Sequence, residues 1–425
     1  MATAASQPED RPGELVSREE LERYAEAVLH GCLGLRADDA LIVQARPEHR
    51  DLVGALAESA YRGGARLVEV VYAEAGVRAA RLRHAREEHL GTVAPWQLAR
   101  ARAELEPDTC SLTVLGEDER ELDGVDPERV ATDFRRTAQA LRPFARASRQ
   151  GKRRWTGLAW PTPEWASRVY PELEPLEAER LLARDLLHFC RLGPSDPPGH
   201  EGWKRHTARL LERGRRLTEL DLRRLELRAP GTALDLRVPA GARWLGGPRR
   251  TAHGSVVAGN FPTEENFTSP EAASTEGTFR CSRPLSFGGR VIEGIRGEFR
   301  RGKLVRLEAD REDDRRLLAA TLDLDAGARR LGEVALVDRS SRIGQTGRTY
   351  FTTLLDENAA AHIAFGFGFD QARTPDEARG SRGVNRSALH LDVMVGTDDL
   401  EATGVTQDGR RVPLIRGGEW QVAHG

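Results

Sequence analysis

Short apolar strands alternate with helix-length stretches through the first half of the chain, and that alternation leaves few folds open. Ala40–Ala45 (ALIVQA) reads as a buried strand. A helix is expected from about His49 to Tyr61, stopping at Gly63-Gly64, and Arg66–Tyr72 (RLVEVVY) is the next strand. Tight strand–helix–strand connections predict a parallel βαβ unit, because parallel strands need a crossover. The pattern continues with helical stretches near Val77–Glu88 and Pro95–Glu104 and a strand at Cys110–Gly116. A long Arg-rich helix over Asp126–Arg149, bent or broken at Pro143, and a fourth strand at Arg154–Trp160 complete it. The expectation is a doubly wound α/β domain over residues 16–200. A disordered polar tail (1–15) precedes it, and a capping box at Ser17-Arg-Glu-Glu20 opens its first helix.

Leu192–Gly202 (LGPSDPPGHEG) reads as a linker. Beyond it comes a basic helix, Trp203–Arg216, and then a different texture: strands with Gly turns and two short helices. Residues 201–425 are therefore expected to form an α+β domain rich in antiparallel strand. No GxGxxG and no GxxxxGK[ST] follows any strand. The first half is accordingly read as scaffold or oligomer surface, not as a nucleotide-binding domain.

Composition excludes several classes. A formal net charge of −2 argues against a dedicated nucleic-acid binder. Lysine occurs only at positions 152, 204 and 303, so the basic residues are nearly all Arg, which reads as genome composition or a warm habitat. No stretch approaches the roughly 18 consecutive apolar residues of a membrane helix. Cys32, Cys110, Cys190 and Cys281 lie far apart without a CxxC pair, so buried thiols in a reducing, cytoplasmic setting are expected.

Chemistry concentrates in four stretches of the second half. In Ala388–Gly396 (ALHLDVMVG) a strand would turn His390, Asp392 and Met394 to one side and the apolar residues to the other. That makes a two-ligand unit, or equally a polar surface face. Leu331–Val337 (LGEVALV) puts Glu333 in an apolar strand, where a lone buried carboxylate is costly. Asn260–Pro270 (NFPTEENFTSP) carries Glu264 and Glu265, whose side chains point to opposite sides of an extended segment. Asp356–Gly368 (DENAAAHIAFGFG) reads as a helix with Asp356 as N-cap and Asn358 and His362 on one face. Each acid alone is as well explained by solvation. Together, two or three carboxylates and two imidazoles suit zinc, cobalt or manganese at two adjacent sites, with a carboxylate bridging.

These stretches resemble those of the thermophilic metalloaminopeptidase family, the aminopeptidase T and aminopeptidase S group. NFPTEENFTSP is similar to the family's NxPTEEvFTaP, LGEVALV matches outright, and TLLDENAAAHIAFG and HLDVMVG are similar to tLfDENAasHIAlG and HxDfMiG. The resemblance implies an exopeptidase with two divalent metal ions, releasing N-terminal residues from peptides with a free N-terminus, usually as a homodimer. It implies Glu265, Glu333, His362, His390 and Asp392 as metal ligands, with Glu333 bridging. Glu264 would take an acid–base or orienting role, and Asp356 and Asn358 would orient His362. One position departs: Phe369 stands where the family has a Tyr at its metal site, with Tyr350 a nearby substitute. That leaves open an impaired homologue. The rival chemistry on the same scaffold is a ring-opening dioxygenase with one non-haem iron on His362, His390 and Asp392, which would not need the PTEE pair or Glu333.

Overall fold

The computed structural model describes residues 14–116, 122, 124–372 and 383–422. The tail expected over 1–15 lies outside them up to residue 13.

Four parallel strands form the first sheet: β1 (Ala40–Ala45), β2 (Leu67–Tyr72), β3 (Thr109–Leu115) and β4 (Arg154–Ala159), in the order β2-β1-β3-β4. This is the doubly wound arrangement expected. The helix Arg18–Glu26 is opened by Ser17, whose side chain and that of Glu20 cap each other's backbone. The long helix Pro127–Arg149 runs through Pro143 as one element. A fifth strand, β5 (Asn260–Phe261), joins this sheet parallel to β4, although it comes from the second half of the chain. The apolar core under the sheet draws on both halves: Leu41, Val43 and Leu112 pack with Phe261, Tyr350 and Leu355.

The second half holds two large antiparallel sheets and two short two-stranded ladders. One has eight strands and begins with Leu222–Ala229 and Thr232–Arg237. The other has four: β6 (Asn266–Thr268), β7 (Leu331–Leu336), β8 (His362–Gly366) and β9 (His390–Met394), in that order. Every residue of β7 and β8 is buried. The helix Glu201–Glu219 follows the linker and packs Trp203, Leu210 and Leu217 inward.

Of the two short helices expected in the second half, Glu312–Leu322 forms, while residues 325–330 are turn and bend leading into β7. The Asp356–Gly368 stretch also differs from expectation. The helix opened by Thr352 spans only Thr353–Ala359, and His362 begins a strand. Asp356 is thus inside the helix, and Asn358 and His362 share no helical face. The alanines favour helix, but His362–Gly366 alternates large apolar side chains (Ile363, Phe365) with small or polar ones. Ladder pairing on both edges rewards that period of two over helix propensity.

Candidate metal centre

Strand register sets the site. Opposite residues of an antiparallel ladder share a face. Glu333 pairs with Ala364, which pairs with Asp392, so one row of the small sheet reads Glu–Ala–Asp. The next row is Phe267–Ala335–His362–Met394. The alanines leave room above the sheet for the long side chains beside them. A bulge between Leu331 and Glu333 shifts the register at Gly332. A side chain at Gly332 would lie 2.0 Å from the Phe367 carbonyl oxygen, so only glycine permits that close approach. His390 and Asp392 project together, as the alternation of β9 requires.

The PTEE pair divides by the same parity. Glu265 sits two residues before Phe267 and lies with the site, while Glu264 and Asn266 take the other direction. Glu264 does not line the site cavity. It meets Arg191 at 2.6 and 2.9 Å and His206 Nε2 at 3.5 Å, and its backbone N–H donates to Asn358 Oδ1 at 2.7 Å.

The remaining candidates converge. His362 Nε2 is 3.1 Å from a Glu265 oxygen, 3.9 Å from Glu333 Oε1 and 4.0 Å from Asp392 Oδ1. His390 Nε2 is 3.4 Å from Glu333 Oε2 and 3.4 Å from Asp392 Oδ1. Two donor groups result, Glu265–Glu333–His362 and Glu333–His390–Asp392, each with its ligand atoms within 4.8 Å of one another. Glu333 belongs to both. His362 Nδ1 lies 3.2 Å from the Ala360 carbonyl, which places the ring proton there and leaves the Nε2 lone pair for the site. Ala360, not Asp356 or Asn358, therefore orients the imidazole. Asp356 accepts from the Tyr350 N–H at 2.9 Å, and Asn358 donates to the Leu354 carbonyl at 2.8 Å.

Three residues of the same cavity were not singled out in the sequence. Glu357 lines it, buried, with Asn260 Nδ2 donating to its Oε1 at 2.8 Å. Asn260 lines it from β5. Arg249 lines it with its guanidinium carbon 5.4 Å from the Phe267 ring centre and 5.5 Å from that of Phe369. Phe369 packs its ring edgewise on His390, centres 5.5 Å apart, and is anchored by Ser269. Tyr350 does not reach the site, because its hydroxyl donates to Asp185 at 2.8 Å within the first half.

The electrostatics suit a bound cation. Glu265, Glu333, Glu357 and Asp392 share one cavity of about 390 Å³. Burial, then repulsion from Glu265 and Asp392, pushes the Glu333 carboxyl well above its ordinary range. Burial, then Asp392, Glu265 and Glu333, does the same to Glu357. Burial works against the charged forms of Asp392 and His362, yet the pairing of Asp392 with His390, and of His362 with Glu265, wins. Asp392 is held low and His362 high. Asp392 Oδ1 and His390 Nδ1 are buried without a hydrogen-bond partner among the described residues. Carboxylates and imidazoles crowded this closely suit divalent cations, which relieve the repulsion and take up the free lone pairs.

The sequence and the fold also match known proteins. The model of the thermophilic metalloprotease (M29) family matches residues 17–420. Aminopeptidase T of Thermus thermophilus is 37% identical over 405 residues, covering 95% of this chain and 98% of that protein. Aminopeptidase 2 of Geobacillus stearothermophilus is 34% identical over 94% of this chain and 97% of its own, and aminopeptidase PepS of Streptococcus thermophilus 32% over 95% and 98%. The solved structure of wild-type AmpT from Thermus thermophilus superposes with a TM-score of 0.85, covering 95% of this chain and 99% of that one. With the family model spanning nearly the whole sequence, the chain belongs to the thermophilic metalloprotease (M29) family.

Proposed function

We propose that this protein is a metal-dependent aminopeptidase that hydrolyses the N-terminal peptide bond of short peptides at a dinuclear site. The observation that carries the reading is Glu333: one carboxylate shared by two complete donor groups on one sheet face. A carboxylate offers two oxygens and can bridge, whereas an imidazole has one free lone pair here. The other ligands are Glu265 and His362 on one side and His390 and Asp392 on the other. Two divalent ions, zinc, cobalt or manganese by donor type, supply carbonyl polarisation and a hydroxide near neutral pH when bound.

The chain's own groups divide the remaining work. Glu357 is the cavity carboxylate outside both donor groups, and its raised affinity for a proton suits it to carry one from the attacking water to the departing amine. Asn260 fixes its Oε1. Glu264, buried against Arg191, orients the segment that carries Glu265 and takes no proton. Phe369 narrows the cavity beside His390, and all five ligands are in place around it, which favours a working site over an impaired one. The named activities of the relatives, each an aminopeptidase, support the substrate class. A homodimer in the cytoplasm remains part of the reading. Among the described residues no helix is long and apolar enough to cross a membrane.

The test is hydrolysis of unblocked aminoacyl anilides by protein stripped of metal and resupplied with Zn, Co or Mn. Activity should vanish on stripping, return with metal, and be absent from His390→Ala. Turnover that survives complete stripping would sink the metal-dependent reading.

A further inference from the structure

Three arginines line the cavity. Arg153 is committed to Glu104 and donates to Ser111 at 3.1 Å, and Arg250 donates to the Gly254 carbonyl at 2.8 Å. Arg249 is different. Among the described residues its side chain makes no ion pair and no hydrogen bond, although it faces into a cavity crowded with carboxylates. Its backbone is fixed by a short ladder, Arg249–Arg250 against Val256–Val257. Its guanidinium rests on Phe267 and Phe369, whose ring centres are 5.1 Å apart. Burial works against its charge, and Glu265 and Glu333 work for it.

The guanidinium is half-buried at the cavity wall, and its donors are available to a group that enters. Charge movement says what. Glu265, Glu333, Glu357 and Asp392 carry four negative charges when ionised, which two divalent ions balance. Arg249 then leaves the cavity one positive charge in excess. In amide hydrolysis negative charge moves from Glu357, which takes the water proton, onto the carbonyl oxygen. Water oxygen bonds to the carbonyl carbon while its proton passes to the Glu357 carboxylate. The C=O π pair moves onto the carbonyl oxygen. Collapse then restores the C=O bond, breaks the C–N bond and delivers the Glu357 proton to the amine nitrogen. Phe369, beside Arg249, has no donor to offer that oxygen.

We propose that Arg249 is a catalytic residue of this site, donating to the carbonyl oxygen as it becomes negative. The proposal rests on the aminopeptidase reading above. It predicts a loss confined to the transition state, because the ground-state carbonyl carries little charge.

The experiment compares wild type, Arg249→Gln and Arg249→Lys on one aminoacyl anilide, with folding checked by thermal melting. Arg249→Gln should lower kcat by about 10²–10³-fold with KM nearly unchanged, as removal of one oxyanion donor does. Arg249→Lys should recover part of the loss. Inhibition by a phosphinic dipeptide should weaken in parallel with kcat. A readout independent of turnover is metal affinity by chelator competition: removing a like charge should leave it equal or tighter. Wild-type kcat in Arg249→Gln overturns the proposal, as does a kcat loss traced to lost metal. A KM raised at constant kcat on free tripeptides, but not on their C-terminal amides, also overturns it, making Arg249 a carboxylate anchor instead. An inactive wild type would defeat the aminopeptidase reading itself, and Arg249's role with it. An active wild type with an equally active Arg249→Gln defeats only the role of Arg249.

Discussion

Arg191 and Glu264 meet as a buried pair, at 2.6 and 2.9 Å, directly behind Glu265. Burial pushes the Glu264 carboxyl above its ordinary range although the Arg191 guanidinium works to lower it, so neither partner is tolerable alone. Arg191→Met should therefore cost about 3–5 kcal/mol of stability in chemical denaturation, by stranding a buried charge. The double variant with Glu264→Leu should regain most of that loss. Because the pair fixes the segment leading into Glu265, Arg191→Met should also weaken metal binding, by about 10–100-fold.

Glu333 bridges two donor groups, so its loss should be felt at both. Glu333→Ala should lower bound metal from two ions per chain to one or fewer by elemental analysis after dialysis. Asp392→Ala removes a ligand from one group only and should leave the other ion. Equal losses in both variants would argue against a bridging carboxylate.

Glu357→Gln keeps the shape and the hydrogen bond from Asn260 while removing the proton carrier. The expected result is a fall in kcat of about 10²–10⁴-fold with metal content retained. Glu264→Gln, by contrast, should act through stability and metal affinity, leaving the pH profile of kcat in place.

His49 offers a test of stability against pH away from the site. Burial, with Arg46 adding to it, lowers its pKa from 6.5 to about 4. The ring is neutral in the fold and readily protonated when unfolded. Its contribution is therefore present above pH 6.5 and is lost as pH falls through about 4. The loss is about 3 kcal/mol in full. His49→Gln should flatten that slope in denaturation series run between these limits; an unchanged slope would mean other groups carry it.

The legible part of the site was the part that local periodicity controls. The spacing of His390 and Asp392 on a strand fixes a common face, and β9 has that face. The opposition of Glu264 and Glu265 follows from extended backbone, although only the ladder through Phe267 says which of them faces the cavity. His362 lies among the candidate donors, but on a strand where a helix was expected. Its alanine-rich approach favours helix, while the edges of β7 and β9 that recruit it as a strand come from distant sequence. Glu357 and Arg249 were illegible for the same reason. Glu357 sits between two polar neighbours, and its meaning comes from Asn260, 97 residues away. Arg249 is one among many arginines until Phe267 and Phe369 place it. The parallel sheet, by contrast, announced itself in short strands with tight crossovers. What sequence could not convey was β5, which carries the first sheet into the second half and brings the PTEE segment against it.

The most direct measurement is product analysis on a matched pair of peptides, Leu-Gly-Gly and its N-acetylated form, with metal-reconstituted protein. The account predicts release of free leucine and Gly-Gly from the first and no cleavage of the second. Cleavage of the acetylated peptide, or release from the C-terminal end, would contradict an aminopeptidase. No cleavage of either, with a single iron bound per chain, would turn the same donors towards oxygen chemistry.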